Sequence, residues 1–481
     1  MENNLEKAKD LFFQSLEYQF RGDLNQAKLI LEEALILAPE RSSIINNLLV
    51  INFSLKDINS LIKLSKNIEQ IGAEKEHYSK LAHAYIDFLN KDYENSISNA
   101  KSILQQQPAD IEGHCIDLLI KNYFKICDLD NLFSYLRLSL KKKINHEQSL
   151  YSVGSILQYL SKPRAAIYFI NKSLEIKKND SYNSCLAQSY LKLKIFDKGL
   201  NLWESRLLVN NTNPEIIKSL RSLKSANDLI NKNILIICEQ GLGDTINFSR
   251  FVKLLKKYTS QITFTVQDKL YELFRDFDGV IIVKKKSELS HFDYDFIIPL
   301  ASLMHLFKIK YDDIKFDYLK IKKEKYPLQL DKNKFNVAFS NCGNIDYIND
   351  QFRSINILKL SKIFDNLSVN FFNLSQNING MHLKRPNLID ASHLNFIEVA
   401  NFLKDIDLVF TTDTVFVHLC GILKINCIML LNKNSEWRWF DDRKKTIWYP
   451  SIKILKQKRI NDWRREINII SKFIESKYQN K

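Results

Sequence analysis

Four short stretches in the second half of the chain carry residue types that can do chemistry together. The first is Glu239-Gln240-Gly241-Leu242-Gly243-Asp244-Thr245, which follows the apolar run Ile234-Leu235-Ile236-Ile237-Cys238 and precedes a helical pattern beginning near Thr245. Gly241 and Gly243 permit a tight turn and close backbone approach. A helix start after such a turn offers free N–H groups to an anion or to developing negative charge. Gly-x-Gly alone is a weak signal. The stretch lacks the third glycine and following acid of a dinucleotide fingerprint and the Gly-Lys-Ser/Thr of a phosphate loop, which counts against dehydrogenase and NTPase chemistry. Asp244, at a strand end, is placed to take a proton from a hydroxyl. It is equally suited to cap the helix that follows.

The second stretch, Thr411-Thr412-Asp413-Thr414-Val415-Phe416-Val417-His418, joins a strand to a helix. Free amides at this junction, with the helix dipole behind them, suit a diphosphate, and His418 falls one turn after Thr414 on the same helical face. A buried structural role for His418 and a capping role for Asp413 are the plain alternatives. The third, Ser340-Asn341-Cys342-Gly343-Asn344 with Asp350 and Arg353-Ser354, supplies a guanidinium whose fork matches phosphate oxygens or, more simply, makes a surface ion pair. The fourth, Trp437-Arg438-Trp439-Phe440, Asp441-Asp442-Arg443 and Trp448-Tyr449-Pro450, concentrates tryptophan. Aromatics there stack on a base or sugar, or pack the C-terminal helix; composition favours packing.

These stretches need elements to hold them. Short apolar strands are expected near 234–238, 262–266, 279–283 and 295–298, then near 336–340, 369–374, 407–411, 427–431 and 452–455, with helices between most of them. Alternation of this kind specifies parallel, doubly wound sheets. The charged connector from Lys322 to Lys334 separates two Rossmann-like domains, 230–325 and 333–481, whose ligands lie outside the carboxyl ends of the strands.

The first 215 residues have a different grammar. Tyr18, Gly22-Asp23, Ala27, Leu31, Ala34 and Pro39 set a pattern that returns at Lys91-Asp92-Tyr93 with Ser96, Ala100 and Pro108, at Ser161-Lys162-Pro163 with Ala166, and at Phe196-Asp197 with Gly199. Ala27, Ser96, Ala166 and Gly199 stand two, two and one multiples apart of a period of about 34 residues, with weaker copies near Asp57 and Asp130. Small residues recur there because paired helices cross closely. Stacked units of this type form a solenoid with a groove suited to an extended peptide or a protein, or else a spacer or dimerisation arm.

Composition sets the outer limits. The 481 residues are 45% hydrophobic and 26% charged, a globular balance. The start of the chain has no basic-then-apolar leader and no apolar run approaches a membrane span, so a cytoplasmic protein is expected. Seven dispersed cysteines without a Cys-x-x-Cys pair predict buried, reduced thiols and no metal site. The net charge of +15 is spread over lysines with no basic, aromatic-interleaved patch, which counts against nucleic acid as a partner.

Taken together, Glu239 to Thr245, Gly343-Asn344 with Asp350 and Arg353-Ser354, Asp413-Thr414 with His418 and Gly421, and Trp437-Arg438-Trp439 with Asp442-Arg443 and Trp448-Tyr449-Pro450-Ser451 resemble one family. It comprises bacterial tetratricopeptide-repeat proteins whose C-terminal glycosyltransferase domain is similar to lipopolysaccharide heptosyltransferases (glycosyltransferase family 9-like). Gly199-Leu200 with Trp203-Glu204 and Arg206 resembles its last repeat. The resemblance implies an α plus α/β chain, a tetratricopeptide-like solenoid followed by a GT-B fold. It implies a hexosyl- or heptosyltransferase type of enzyme, a nucleotide-sugar donor, inversion, and no metal or other cofactor. It implies Asp244 as base with Gln240, Gly241, Gly243 and Thr245 on the acceptor-side loop. Ser340, Asn341, Gly343, Asn344, Arg353, Asp413, Thr414, Val415 and His418 are implied on the donor side. The acceptor is a protein, such as a surface or flagellar subunit, or a glycan or lipid-linked group; a non-catalytic scaffold is the rival. Ile345, where proline is common, and Cys342 and Cys420, where small residues are common, depart from the pattern.

Overall fold

The computed structural model describes residues 2–106, 109–143, 146–285, 294–314, 319–345, 347, 349–375, 385–440 and 446–478. Asp441, Asp442 and Arg443 of the tryptophan-rich stretch, and Pro108 of the repeat pattern, lie outside the described residues. The chain divides into two compact units, Met1–Val153 and Gly154–Lys481.

The first unit is built of antiparallel helix pairs. Helices Glu2–Arg21 and Leu24–Leu37, Ser42–Leu55 and Ile58–Ile71, Glu76–Leu89 and Tyr93–Gln105, and Glu112–Lys125 and Leu129–Lys142 follow one another. Each of these pairs turns in the same way. Gly22, Lys56, Lys91 and Cys127 take a left-handed conformation, and Asp23, Asp57, Asp92 and Asp128 immediately after them cap the second helix through the side chain. The same left-handed turn recurs between paired helices at Ser161 and Lys194 in the second unit. Ala27, Ser96 and Ala166 are fully buried where the expected small residues stand. A Cβ on Gly199 would come within 2.7 Å of the Leu191 side chain, so only glycine lets these helices cross so closely.

The second unit holds two parallel sheets. Strands β1 (Ile234–Ile237), β2 (Ile262–Val266), β3 (Ile281–Lys284) and β4 (Phe296–Pro299) pair in the order β3-β2-β1-β4. Strands β5 (Phe335–Ser340), β6 (Val369–Asn373), β7 (Leu388–Asp390), β8 (Leu408–Thr412), β9 (Cys427–Leu431) and β10 (Ile452–Lys456) pair as β10-β9-β8-β5-β6-β7. Every pairing is parallel. All residues of β2, β5, β6, β8 and β9 are buried, so both faces of these strands are covered, and β9 reads as an unbroken apolar run. The α plus α/β class with two Rossmann-like sheets is therefore as expected, and β7, three residues at an edge, is the addition.

Connectivity reverses direction between β1 and β4 and between β5 and β8. Crevices open outside the strand ends at such switch points, and the loops after β1, β5 and β8 are the three stretches singled out by composition. The preceding helices share the core of the first sheet: Leu191, Phe196, Leu200 and Trp203 pack in one apolar cluster with Ile234 and Ile236.

Candidate active site

The loop after β1 enters its helix earlier than the sequence pattern implies. The helix runs Leu242–Phe248 with Gly241 as its N-cap, so Gly243 and Asp244 belong to its first turn. Asp244 is thus not the N-cap; it is the third helical residue, and its Oδ2 accepts from the Gly241 N–H at 3.0 Å. The glycines hide the start because their own helix preference is poor. Thr245 is fully buried beneath the turn.

Beneath this loop lies a buried ion cluster. Arg206 forks onto Glu239, Nε to Oε2 at 2.9 Å and Nη2 to Oε1 at 2.7 Å, and reaches Glu204 Oε1 at 2.8 Å and Ser302 Oγ at 2.8 Å. The Ala301 N–H adds a bond to Glu239 Oε1 at 2.9 Å. A carboxylate with this many donors is fixed in place, and with it the backbone leading to Gln240, which sits in a left-handed conformation at φ 63°.

Across the cleft, the helix Val415–Ile422 begins at Thr414, which makes no side-chain cap. Asp413 is therefore not its cap either; the first amides remain uncapped by side chains, and the helix end favours an anion. Asp413 is pushed up to about 6 by burial and by the nearby Glu436, against the pull of Arg353. His418 is buried. Tyr449 OH donates to Asn247 Oδ1 at 3.1 Å and meets His418 Nδ1 at 3.0 Å, which assigns the ring proton to Nδ1 and leaves Nε2 with an open lone pair. Burial, with Arg438 and Arg250 adding, holds the ring down to about 3, so it is uncharged at neutral pH. Trp439 stacks on it at 5.4 Å, and a Cβ on Gly421 would overlap the Tyr449 ring that braces the helix.

Arg353 is anchored at both ends. Its Nε donates to Asp350 Oδ1 at 2.8 Å, its Nη1 to the Asp413 carbonyl at 2.9 Å, and its guanidinium lies 4.7 Å from the centre of the Tyr347 ring. Ser340 and Asn341 are buried: Asn341 Nδ2 donates to the Ile355 carbonyl at 2.7 Å, shaping the loop that presents Gly343 and Asn344.

One cleft of about 600 Å³ collects these groups. Gln240, Gly241, Gly243 and Asp244 line it from the first sheet, and Gly343, Asn344, Arg353, Asp413, Thr414, Val415 and His418 from the second. Thr245, Ser340 and Asn341 support its walls from behind.

No family model and no curated protein matches the chain. Among solved structures it is similar to a tetratricopeptide repeat protein from Parabacteroides merdae at 15% identity, covering 37% of this chain and 69% of that one, with a TM-score of 0.33. It is similar to the glycosyl transferase family 9 protein from Veillonella parvula at 12% identity, covering 52% and 92%, with a TM-score of 0.35. It is also similar to an O-GlcNAc transferase from Thermobaculum terrenum at 10% identity, covering 98% and 90%, with a TM-score of 0.31.

Two charged cleft residues matter most among those that the sequence did not assign to the site. Glu436 and Arg438 lie on the loop after β9, at the start of the tryptophan-rich stretch, and both line the cleft. The packing expected of that stretch is present: Trp437, Trp439, Trp448 and Tyr449 are at most 1% exposed. The charged residues between them face the other way, toward Asp244 and Tyr347. Among the described residues, no group of three or more His, Cys, Asp or Glu is arranged to hold a metal ion, and no helix is long and apolar enough to cross a membrane.

Proposed function

We propose that the chain is a glycosyltransferase that moves a sugar from a nucleotide-activated donor to an acceptor hydroxyl. The observation that carries this reading is the single cleft lined by a carboxylate in the first helical turn after β1, Asp244, by a helix N-terminus at Thr414–Val415 and by a guanidinium, Arg353. A diphosphate leaving group needs the latter two, whose dipole and charge stabilise the negative charge that develops as it departs. A hydroxyl nucleophile needs the former.

In this reading the acceptor oxygen bonds to the anomeric carbon from the face opposite the leaving group, inverting it. The bond from that carbon to the diphosphate oxygen breaks, its electron pair leaves with the nucleoside diphosphate, and the hydroxyl proton passes to Asp244. His418 Nε2, with its lone pair open, accepts from a donor hydroxyl. No cofactor enters these steps.

The helical array supplies the acceptor, in our reading a polypeptide. In the first unit a groove of about 600 Å³ between the helices Leu24–Leu37, Ser42–Leu55 and Ile58–Ile71 mixes Leu48 and Ile36 with Asn52, Asn67 and Lys63, a lining able to take an extended chain.

The test is incubation of the purified chain with UDP-, GDP- and ADP-linked sugars, measuring nucleoside diphosphate release. Asp244→Asn should lower turnover by about 100- to 10,000-fold while leaving nucleoside diphosphate affinity within about threefold, as expected for loss of a positioned base. A chain that neither binds nor releases nucleotide is a scaffold. Full turnover in the Asn variant removes Asp244 from the role.

A further inference from the structure

Arg438 belongs to the second sheet by sequence and to the first by contact. Its Nη2 donates to Asp244 Oδ1 at 2.7 Å and to Gln240 Oε1 at 2.7 Å, both on the loop after β1, while Nη1 donates to Glu436. The guanidinium lies 5.3 Å from the Phe248 ring centre and 5.2 Å from that of Trp437, and the Arg438 carbonyl accepts the Trp448 indole N–H at 2.7 Å. The side chain is 8% exposed. Main chain and guanidinium plane are both fixed.

This engagement separates Arg438 from Arg353. A guanidinium already shared among two carboxylates and an amide oxygen cannot hold a diphosphate without releasing Asp244. Its geometry serves the carboxylate: Arg438 holds one Asp244 oxygen and the Gly241 N–H holds the other, so the group is fixed in its plane.

Taking Asp244 as the base of the reaction proposed above, we propose that Arg438 is its positioning residue. The guanidinium reaches over from the opposite sheet, aims the Asp244 carboxylate and supplies its counter-charge, and Glu436 competes for the same cation. A buried carboxylate without such a partner would prefer its proton and be no base at all. Burial does push Asp244 above its ordinary value, with Arg438 pulling down and Glu436 pushing up.

Other charges around Asp244 are already committed or lie on the far wall. Glu239 on its own loop is paired to Arg206, Arg353 is paired to Asp350, and His418 is uncharged. Asp413 from the end of β8 and Lys269 from the turn after β2 line the same cleft. Arg438 bonds Asp244 directly, and Glu436 acts on it through the shared Arg438.

The experiment compares the full-length wild type with Arg438→Gln, Arg438→Lys and Glu436→Gln. It follows the pH dependence of nucleoside diphosphate release from the same panel of nucleotide sugars. In parallel, carbon-13 NMR of aspartate carboxyls, with Asp244→Asn identifying the signal, follows the carboxyl without turnover. Arg438→Gln should move the acidic limb and the carboxyl midpoint up by about one to three pH units. Glu436→Gln should move both down, and Arg438→Lys should lie between wild type and Arg438→Gln. A role in packing alone cannot move the midpoint in opposite directions. If Arg438→Gln leaves the midpoint unmoved, or both charge variants shift it the same way, the assignment of Arg438 is overturned. If the wild type releases no nucleotide, the transferase reading fails by itself, and the NMR titration still decides whether Arg438 controls Asp244.

Discussion

Gly243 and His418 meet face to face across the cleft: a Cβ built on Gly243 would stand 2.6 Å from His418 Cδ2. The two sheets can come this close only because position 243 has no side chain. The ring cannot retreat, since Trp439 stacks against it and Tyr449 holds Nδ1. Gly243→Ala should therefore cost about 1–3 kcal/mol by overpacking, seen as a lower denaturation midpoint with unchanged slope. Adding His418→Ala should restore part of the stability and none of the turnover. Equal stability of Gly243→Ala and wild type would mean that the two loops are not in contact in solution.

Gly343 gives the contrasting case. A Cβ there would overlap Arg353 Nη2, so the overlap is relieved by shifting the guanidinium at the expense of its bonds to Asp350 and the Asp413 carbonyl. Gly343→Ala should lower stability by about 0.5–1.5 kcal/mol, the worth of a hydrogen bond lost as the guanidinium shifts. It should weaken nucleoside diphosphate binding by about ten- to a hundredfold, the loss of a charge-assisted bond worth about 1.5–3 kcal/mol. Isothermal titration with the free nucleoside diphosphate checks both the direction and the size.

What the sequence makes legible here depends on whether the signal is local. The strands β5, β8 and β9 are buried on both faces, so burial alone writes them as predominantly apolar segments. The helix pairs declare themselves through Ala27, Ser96, Ala166 and Gly199, each set by one close crossing. The turns are harder to see. Five of the six left-handed positions are Lys, Cys or Ser, so the usual glycine marker is missing there, and capping aspartates carry the signal at three of those five. Asp244, Arg353, Asp413 and His418 stand out because each follows a strand. Arg438 also follows a strand but does not stand out, because its partner Gln240 is 198 residues away and the surrounding tryptophans announce packing. A contact that only tertiary structure creates leaves no periodicity to find.

Arg206 tests how the helical array supports the site. Its side chain is 3% exposed and bonds to both Glu204 and Glu239. Removing it as Arg206→Met leaves two carboxylates half-buried without a cation, which should cost about 3–5 kcal/mol. The double variant Arg206→Met with Glu239→Gln should recover much of that loss, because the stranded charge next to Ser302 and Ala301 is gone. Urea unfolding of the three proteins measures the coupling. Additive losses would show that the Arg206–Glu239 pair does not hold the Gln240–Asp244 loop.

The buried His418 gives the protein a predictable acid response. Its folded value is held down to about 3, below the ordinary value of 6.5, so it stays neutral in the folded chain while the unfolded chain takes up a proton as pH falls. The sign follows: the contribution is fully present above pH 6.5 and is lost progressively as pH falls from there toward 3, at up to about 1.4 kcal/mol per pH unit. Replacing the ring with an uncharged amide, His418→Gln, removes that proton uptake. Chemical unfolding of wild type and variant at pH 7, 6 and 5 should show the wild type losing stability more steeply, by about 1 kcal/mol per unit over the lower interval. Parallel slopes would mean that His418 is accessible to protons in the folded state, and its Nε2 would then not be the open acceptor that the Tyr449 contact assigns.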